Sequence, residues 1–239
     1  MIVYGRNPVR EAIRGPREVR WVWASKNALR EPWLDGVRKI AASTDPDELE
    51  RLSGTSAHQG VCADVSDYRY ADAAELLAHP QALIVALDQV QDPQNLGAIA
   101  RSAECAGVTG LVLPERRSAE VTAAVCKASA GAIEHLRVAK IRNLADFLAD
   151  AKLAGMWCYG ADADGAAAYD TVDYAGAIVL VLGSEGRGLR PRVARACDAL
   201  VSIPLRGRIE SLSVSAAAAV LIYAAARGRS ASARSALRP

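Results

Sequence analysis

The sequence predicts an α/β chain: a small N-terminal α/β module followed by a larger parallel sheet covered by helices on both faces. Two observations carry this. From Ala82 onward, short continuous apolar runs alternate with helix-like stretches, the pattern of strands buried on both sides. Before about Asp72 the apolar runs are sparser and aromatic, and polar stretches separate them.

In the first region, Asn7-Pro8 places proline where a helix begins. An aromatic strand, Arg20-Trp21-Val22-Trp23, follows, and a second strand is expected over Gly60–Val65 after the polar stretch around Gly54. Asp67-Tyr68-Arg69-Tyr70 reads as the exit from the module, which gives a domain of residues 1–72. Residues 73–81 read as a linker with a short helix, residues 82–228 as the main domain, and residues 229–239 as a basic tail.

Strands of the main domain are expected at Leu83–Leu87, Gly110–Leu113, Leu136–Val138, Met156–Tyr159, Ile178–Leu182 and Leu200–Ile203. Parallel sheets bind ligands beyond the carboxyl ends of their strands. The loops after Leu87, Leu182 and Ile203 are therefore the candidate site. A last helix over Val214–Ala226 is apolar nearly all round, with Leu221, Ile222 and Tyr223 consecutive. That predicts a central helix or a homodimer contact.

Composition narrows the function. Half of the 239 residues are hydrophobic and 23% are charged, as in ordinary soluble globular proteins. No long uncharged apolar run predicts a transmembrane helix, and the start lacks a signal-peptide layout, so a cytoplasmic location is expected. Five scattered cysteines and three dispersed histidines give no metal-ligand spacing and argue against zinc or a serine-type triad. The net charge of +2 conceals ten arginines against two acidic residues from position 187 onward. Arg187, Arg190, Arg206 and Arg208 flank glycine-rich loops, which favours a polyanionic ligand.

The first loop contains Asp92-Pro93-Gln94-Asn95, a turn with Asn95 as the expected cap of a helix running to Ala106 and stopped by Gly107. Ile99, Ala103 and Ala106 form its buried face. Arg101 lies about 200° around from Ile99 and points outward. The second loop, Leu182-Gly183-Ser184-Glu185-Gly186-Arg187-Gly188, allows close backbone approach to a ligand. It fits neither the P-loop nor the dinucleotide fingerprint, which argues against a nucleotide-binding oxidoreductase. In the third, Ile203-Pro204-Leu205-Arg206-Gly207-Arg208 leads to Ser211-Leu212-Ser213, where Ser211 or Ser213 is expected to cap the last helix.

Together the three loops resemble the SpoU/TrmH family of RNA ribose 2′-O-methyltransferases in the SPOUT superfamily. Asp92-Pro93-Gln94-Asn95-Leu96-Gly97 with Arg101 is similar to its first motif, Gly183-Ser184-Glu185-Gly186 with Gly188 to its second, and Ile203-Pro204 with Ser211–Ser215 to its third. Lys127–Ala132 resembles a further family element. Tyr4–Val9 and His58–Val61 look like the RNA-binding module of bacterial enzymes that methylate a guanosine ribose in 23S rRNA.

The resemblance implies a deep trefoil knot, a homodimer, RNA as substrate and S-adenosylmethionine as cofactor. It implies a catalytic set of Asn95, Arg101, Glu185, Ser211 and Ser213, and a cofactor set of Leu182, Gly183, Gly186, Ile203, Leu205 and Leu212. Arg6, Asn7, His58, Arg187, Arg206 and Arg208 become the RNA contacts. One position departs from the pattern: Ser213 stands where relatives usually carry Asn. The alternatives are a tRNA ribose methyltransferase and a weakened RNA-binding or ribosome-assembly factor.

Overall fold

The computed structural model describes residues 1–235 except 38, 42 and 210, with side chains through residue 229. Near the N-terminus, β1 (Ile2–Tyr4) turns at Gly5 into α1 (Arg6–Arg14). β2 (Val19–Ala24), β3 (Ile40–Ala41), α2 (Pro46–Ser53) and β4 (Val61–Val65) follow. The strands form one sheet in the order β1-β4-β2-β3, with only the β2-β3 pair parallel. Gly5 adopts a φ of 95°, which lets the chain leave β1 and start α1 at once. The two expected strands and the first helix are present. The edge strands β1 and β3 and helix α2 are additions. α2 is nonetheless punctuated in the sequence: Asp45 caps it, Pro46 is its first residue, and Gly54 ends it at a φ of 69°.

The larger sheet begins after α3 (Ala73–Leu77). It comprises β5 (Leu83–Leu87), then α4 (Pro93–Cys105), β6 (Gly110–Pro114), α5 (Ala123–Ala128), β7 (Val138–Ile141) and α6 (Leu144–Leu153). β8 (Trp157–Ala161), β9 (Ala167–Ala168), β10 (Ile178–Leu182), α7 (Pro191–Ala196), β11 (Ala199–Ser202) and α8 (Val214–Ser235) complete it. The order is β7-β6-β5-β10-β8-β11-β9, and every pairing is parallel. All six expected strands are present. β7 lies two to three residues later than its apolar run suggested, and the two-residue edge strand β9 is an addition. Each residue of β5, β6 and β10 is buried. At about 1.5–3 kcal/mol per buried aliphatic side chain, these strands anchor the core. The segment expected as a linker holds α3, whose Leu76 is fully buried.

From β5 the chain winds outward to β6 and β7. It then crosses to β8 and returns to place β10 between β5 and β8. The order therefore reverses beside β5 and β10, the place where open parallel sheets hold their ligands. α8 packs on α4, β10 and β5. It extends nine residues beyond its expected end. Val214, Ala218, Leu221, Ile222 and Ala225 make one buried face, while Tyr223 is exposed. Near its far end Arg229 donates to the carbonyls of Gln81, Ala82 and Gly176, at the amino ends of β5 and β10. The start of α8 therefore lies at the opposite, carboxyl ends of those strands. Positions 236–239 of the expected basic tail, including Arg238, lie outside the described residues. Cys105, in the last turn of α4, is exposed; Cys62, Cys126 and Cys158 are buried and Cys197 is half-buried. No helix of the described residues is long and apolar enough to cross a membrane.

Candidate active site

The first two loops meet across the adjacent ends of β5 and β10. Asp92, rather than the expected Asn95, caps α4: its carboxylate accepts from the backbone N–H of Gln94 at 3.0 Å. Pro93 fills the first helical position, where no N–H is needed. This leaves the Asn95 side chain free for another partner, and its Nδ2 donates to Glu185 Oε2 at 3.3 Å. The bond spans ninety residues of sequence and joins the first loop to the second. Arg101 is exposed further along α4 and has no ion-pair partner among the described residues.

Close backbone packing shapes the second loop. A side chain at Gly183 would lie 2.1 Å from the Gly188 carbonyl carbon. Ser184 and Gly188 exchange both backbone hydrogen bonds, at 3.1 and 3.0 Å. Gly186 and Gly188 take positive φ values of 76° and 62°, so the turn between them presents Glu185, Gly186 and Arg187 to solvent. Leu182 and Gly183 are buried beneath it.

Asp88, which sequence reasoning gave no role, fixes this arrangement. Its side chain is fully buried, and its two oxygens accept from the Arg190 backbone N–H at 2.9 Å and the Arg190 Nε at 2.7 Å. Arg190 is thus engaged in closing the second loop onto β5, which corrects the expectation that it is available to a polyanion. The signal was an acidic residue directly after a fully apolar strand. Gln89 next to it turns the chain with a φ of 63°.

In the third loop, Ser213 caps α8. Its Oγ accepts from the Ala216 N–H at 3.2 Å and lies 3.2 Å from Ser215 Oγ. Ser211 and Ser213 are exposed at the mouth of the loops, and neither hydrogen-bonds to Asn95, Arg101 or Glu185. Leu205, Ile209 and Leu212 are large apolar side chains left open to solvent, and Ile203 is half-buried against the core. Arg187, Arg206 and Arg208 are exposed without ion-pair partners among the described residues.

The N-terminal candidates separate. Asn7 is exposed, and Arg6 is half-exposed while paired to Glu31 at 2.7 Å. His58 is buried, and its Nδ1 accepts from the Gly60 N–H at 3.0 Å. That bond holds a turn and engages one ring nitrogen within the chain. Among the described residues no group of three His, Cys, Asp or Glu side chains is placed to hold a metal ion.

Comparison with known proteins matches this architecture. Residues 82–223 fit the model of the SpoU rRNA methylase family, and residues 2–71 fit that of the RNA 2′-O ribose methyltransferase substrate-binding domain. A protein of Mycolicibacterium vanbaalenii named as a tRNA/rRNA methyltransferase is 41% identical over 95% of this chain and 76% of its own length. A Bacillus subtilis protein named as a TrmH family tRNA/rRNA methyltransferase is 35% identical over 95% of both chains. The crystal structure of the SpoU methyltransferase AviRb of Streptomyces viridochromogenes, in complex with AdoMet, superposes with a TM-score of 0.80 at 26% identity. It covers 95% of this chain and 89% of AviRb. With two matched models spanning nearly all of the sequence and relatives well above 30% identity, this chain belongs to the SpoU/TrmH methyltransferase family.

Proposed function

We propose that this chain transfers a methyl group from S-adenosylmethionine to a ribose 2′-hydroxyl of structured RNA, a guanosine of 23S rRNA in particular. The observation that carries the proposal is the Asn95–Glu185 hydrogen bond. It joins two motif loops at the point where the strand order reverses, with Arg101, which has no ion-pair partner among the described residues, on the same helix.

The loops suit the cofactor. Gly183 lets the second loop close on the Gly188 backbone, and Leu205 and Leu212 offer exposed apolar surface. Leu182, Gly183, Gly186, Ile203, Leu205 and Leu212 would hold it. When bound, it supplies an electrophilic methyl group that needs no further activation.

The protein's task is then alignment of the attacking oxygen and relief of the charge that grows on it. Asn95, fixed by Glu185, offers its remaining amide N–H and its carbonyl to a ribose. Arg101 supplies positive charge rather than a base. Its role is to draw in an RNA phosphate and stabilise the developing alkoxide. Ser211 and Ser213 complete the polar rim. Arg187, Arg206 and Arg208 supply further phosphate contacts, and Arg6 and Asn7 do so on the N-terminal domain, residues 1–72. The active form is a homodimer built on the exposed face of α8 around Tyr223, and the loops after β10 and β11 belong to a trefoil knot.

The test is methyl transfer from labelled cofactor to rRNA and tRNA isolated from cells lacking the gene, followed by mapping of alkali-resistant linkages. A 2′-O-methylguanosine in 23S rRNA is the expected product. Modification of tRNA alone would reassign the substrate. RNA and cofactor binding without transfer would favour an assembly factor weakened at Ser213, whose hydroxyl is already occupied by the cap of α8.

A further inference from the structure

A buried charged pair outside the candidate site joins the two parts of the molecule. Arg17 follows α1, and Glu134 lies in the single-turn helix Ala132–His135 after α5, 117 residues later. Their side chains are 3% and 0% exposed. Arg17 Nε donates to Glu134 Oε2 at 2.7 Å, and Arg17 Nη2 donates to Glu134 Oε1. Arg17 Nη1 donates to the Ser66 carbonyl at 3.2 Å.

The seam beside the pair is closely packed. A side chain at Gly131 would lie 2.7 Å from Glu11 Cβ, and one at Gly15 would lie 3.1 Å from Glu134 Cβ. His135 Nε2 lies 3.0 Å from Glu11 Oε2. The connecting segment is pinned as well. Tyr68 Oη donates to the Leu136 carbonyl at 2.5 Å, Tyr70 Oη accepts from the Val121 N–H at 3.0 Å, and Ala71 N–H donates to the Val138 carbonyl at 2.8 Å.

The same turn continues into the candidate site. α5 packs on α4 at Gly97, where a side chain would lie 2.3 Å from Ala128 Cβ. Gly97 is two residues from Asn95 and four from Arg101. An unbroken path of packed backbone therefore runs from α1 through residues 131–135 and α5 to α4.

We infer that Arg17 and Glu134 are positioning residues that hold the N-terminal RNA-binding module at one fixed distance and angle from Asn95, Arg101 and Glu185. The module is then a ruler, and the place where it grips RNA selects the ribose that reaches the site. The inference rests on the RNA methylation reading given above. Breaking one member of a buried pair leaves an uncompensated charge, whereas replacing both with apolar groups of similar size can preserve packing.

The experiment compares wild type, E134Q, R17K and the double variant R17M/E134L, using 23S rRNA from cells lacking the gene as substrate. E134Q is expected to raise KM for RNA about tenfold and to add methyl groups at neighbouring riboses, with kcat at saturating RNA and cofactor affinity within about twofold of wild type. R17M/E134L is expected to restore KM and site selection. Unchanged KM and selection in E134Q would overturn the inference. So would a parallel fall in kcat, cofactor affinity and RNA affinity, which is the mark of general damage. If E134Q does not fold, R17K, which keeps the charge but loses the paired fork, takes its place in each comparison. Trypsin cleavage after the exposed Arg69 of the connector gives a readout independent of RNA. It is expected to be about tenfold faster in E134Q than in wild type under native conditions, and equal rates would overturn the inference. A wild type that methylates no RNA would defeat the proposed function, leaving the trypsin comparison to judge the seam by itself.

Discussion

At the scale of single residues, the site divides into groups that face substrate and groups that hold the others still. In the proposed mechanism Arg101 is of the first kind. Arg101→Ala is expected to lower kcat/KM about 100-fold or more, the usual loss when a preorganised charge is removed, with Arg101→Lys retaining part of the activity. Near-full methylation by both variants in a single-turnover assay would remove Arg101 from the mechanism. Asp88 belongs to the second kind. Asp88→Ala strips Arg190 of both carboxylate contacts and should cost about 1.5–3 kcal/mol, read as a lowered urea midpoint together with weakened cofactor binding. Ser213→Asn is expected to change turnover by less than about tenfold. The longer amide can still cap α8, and caps of either type are of similar strength. A gain of several orders of magnitude would mark the native site as impaired.

Among the secondary-structure elements, α4 shows how far the sequence could be read. Its span, its outward Arg101 and its stop at Gly107 were legible because a turn signal, helical periodicity and a glycine each act locally. Its cap was assigned to Asn95 because Asp92 and Asn95 are equally good capping residues. Only the fold shows that Glu185, ninety positions away, claims the asparagine. The same limit applied to His58, which bonds back to the turn at Gly60, and to Arg190, whose partner Asp88 lies 102 residues earlier, just after β5. α8 was read as apolar on every side. In the structure one face is buried, most other positions are half-buried, and Tyr223 and Arg227 are exposed. Gly97 was seen only as part of a motif, yet it is where α4 touches the backbone of α5. Gly97→Val should therefore overpack that contact and destabilise the protein by about 1–3 kcal/mol or more, measured by thermal unfolding. A variant as stable as wild type would contradict the contact.

Across the whole molecule, the thiols set an alkaline limit. Burial pushes Cys62 up to about 11 and Cys126, Cys158 and Cys197 up to about 12, from an ordinary value of 9. The folded state therefore holds these protons more tightly than the unfolded chain does. Their contribution to stability is complete below pH 9 and is lost as pH rises from 9 toward 11–12. The melting temperature should fall across that window, and less steeply in Cys126→Ala/Cys158→Ala than in wild type once their stabilities at pH 7 are matched. Equal slopes would show that the thiols do not set the limit. Cys105 lies outside this group: it stands in water at the end of α4. A maleimide dye added at neutral pH should therefore label each chain once, about 15 Å along the helix axis from Asn95. The fold thus carries a native attachment point for an optical reporter, one that can signal the arrival of cofactor or RNA without an engineered cysteine.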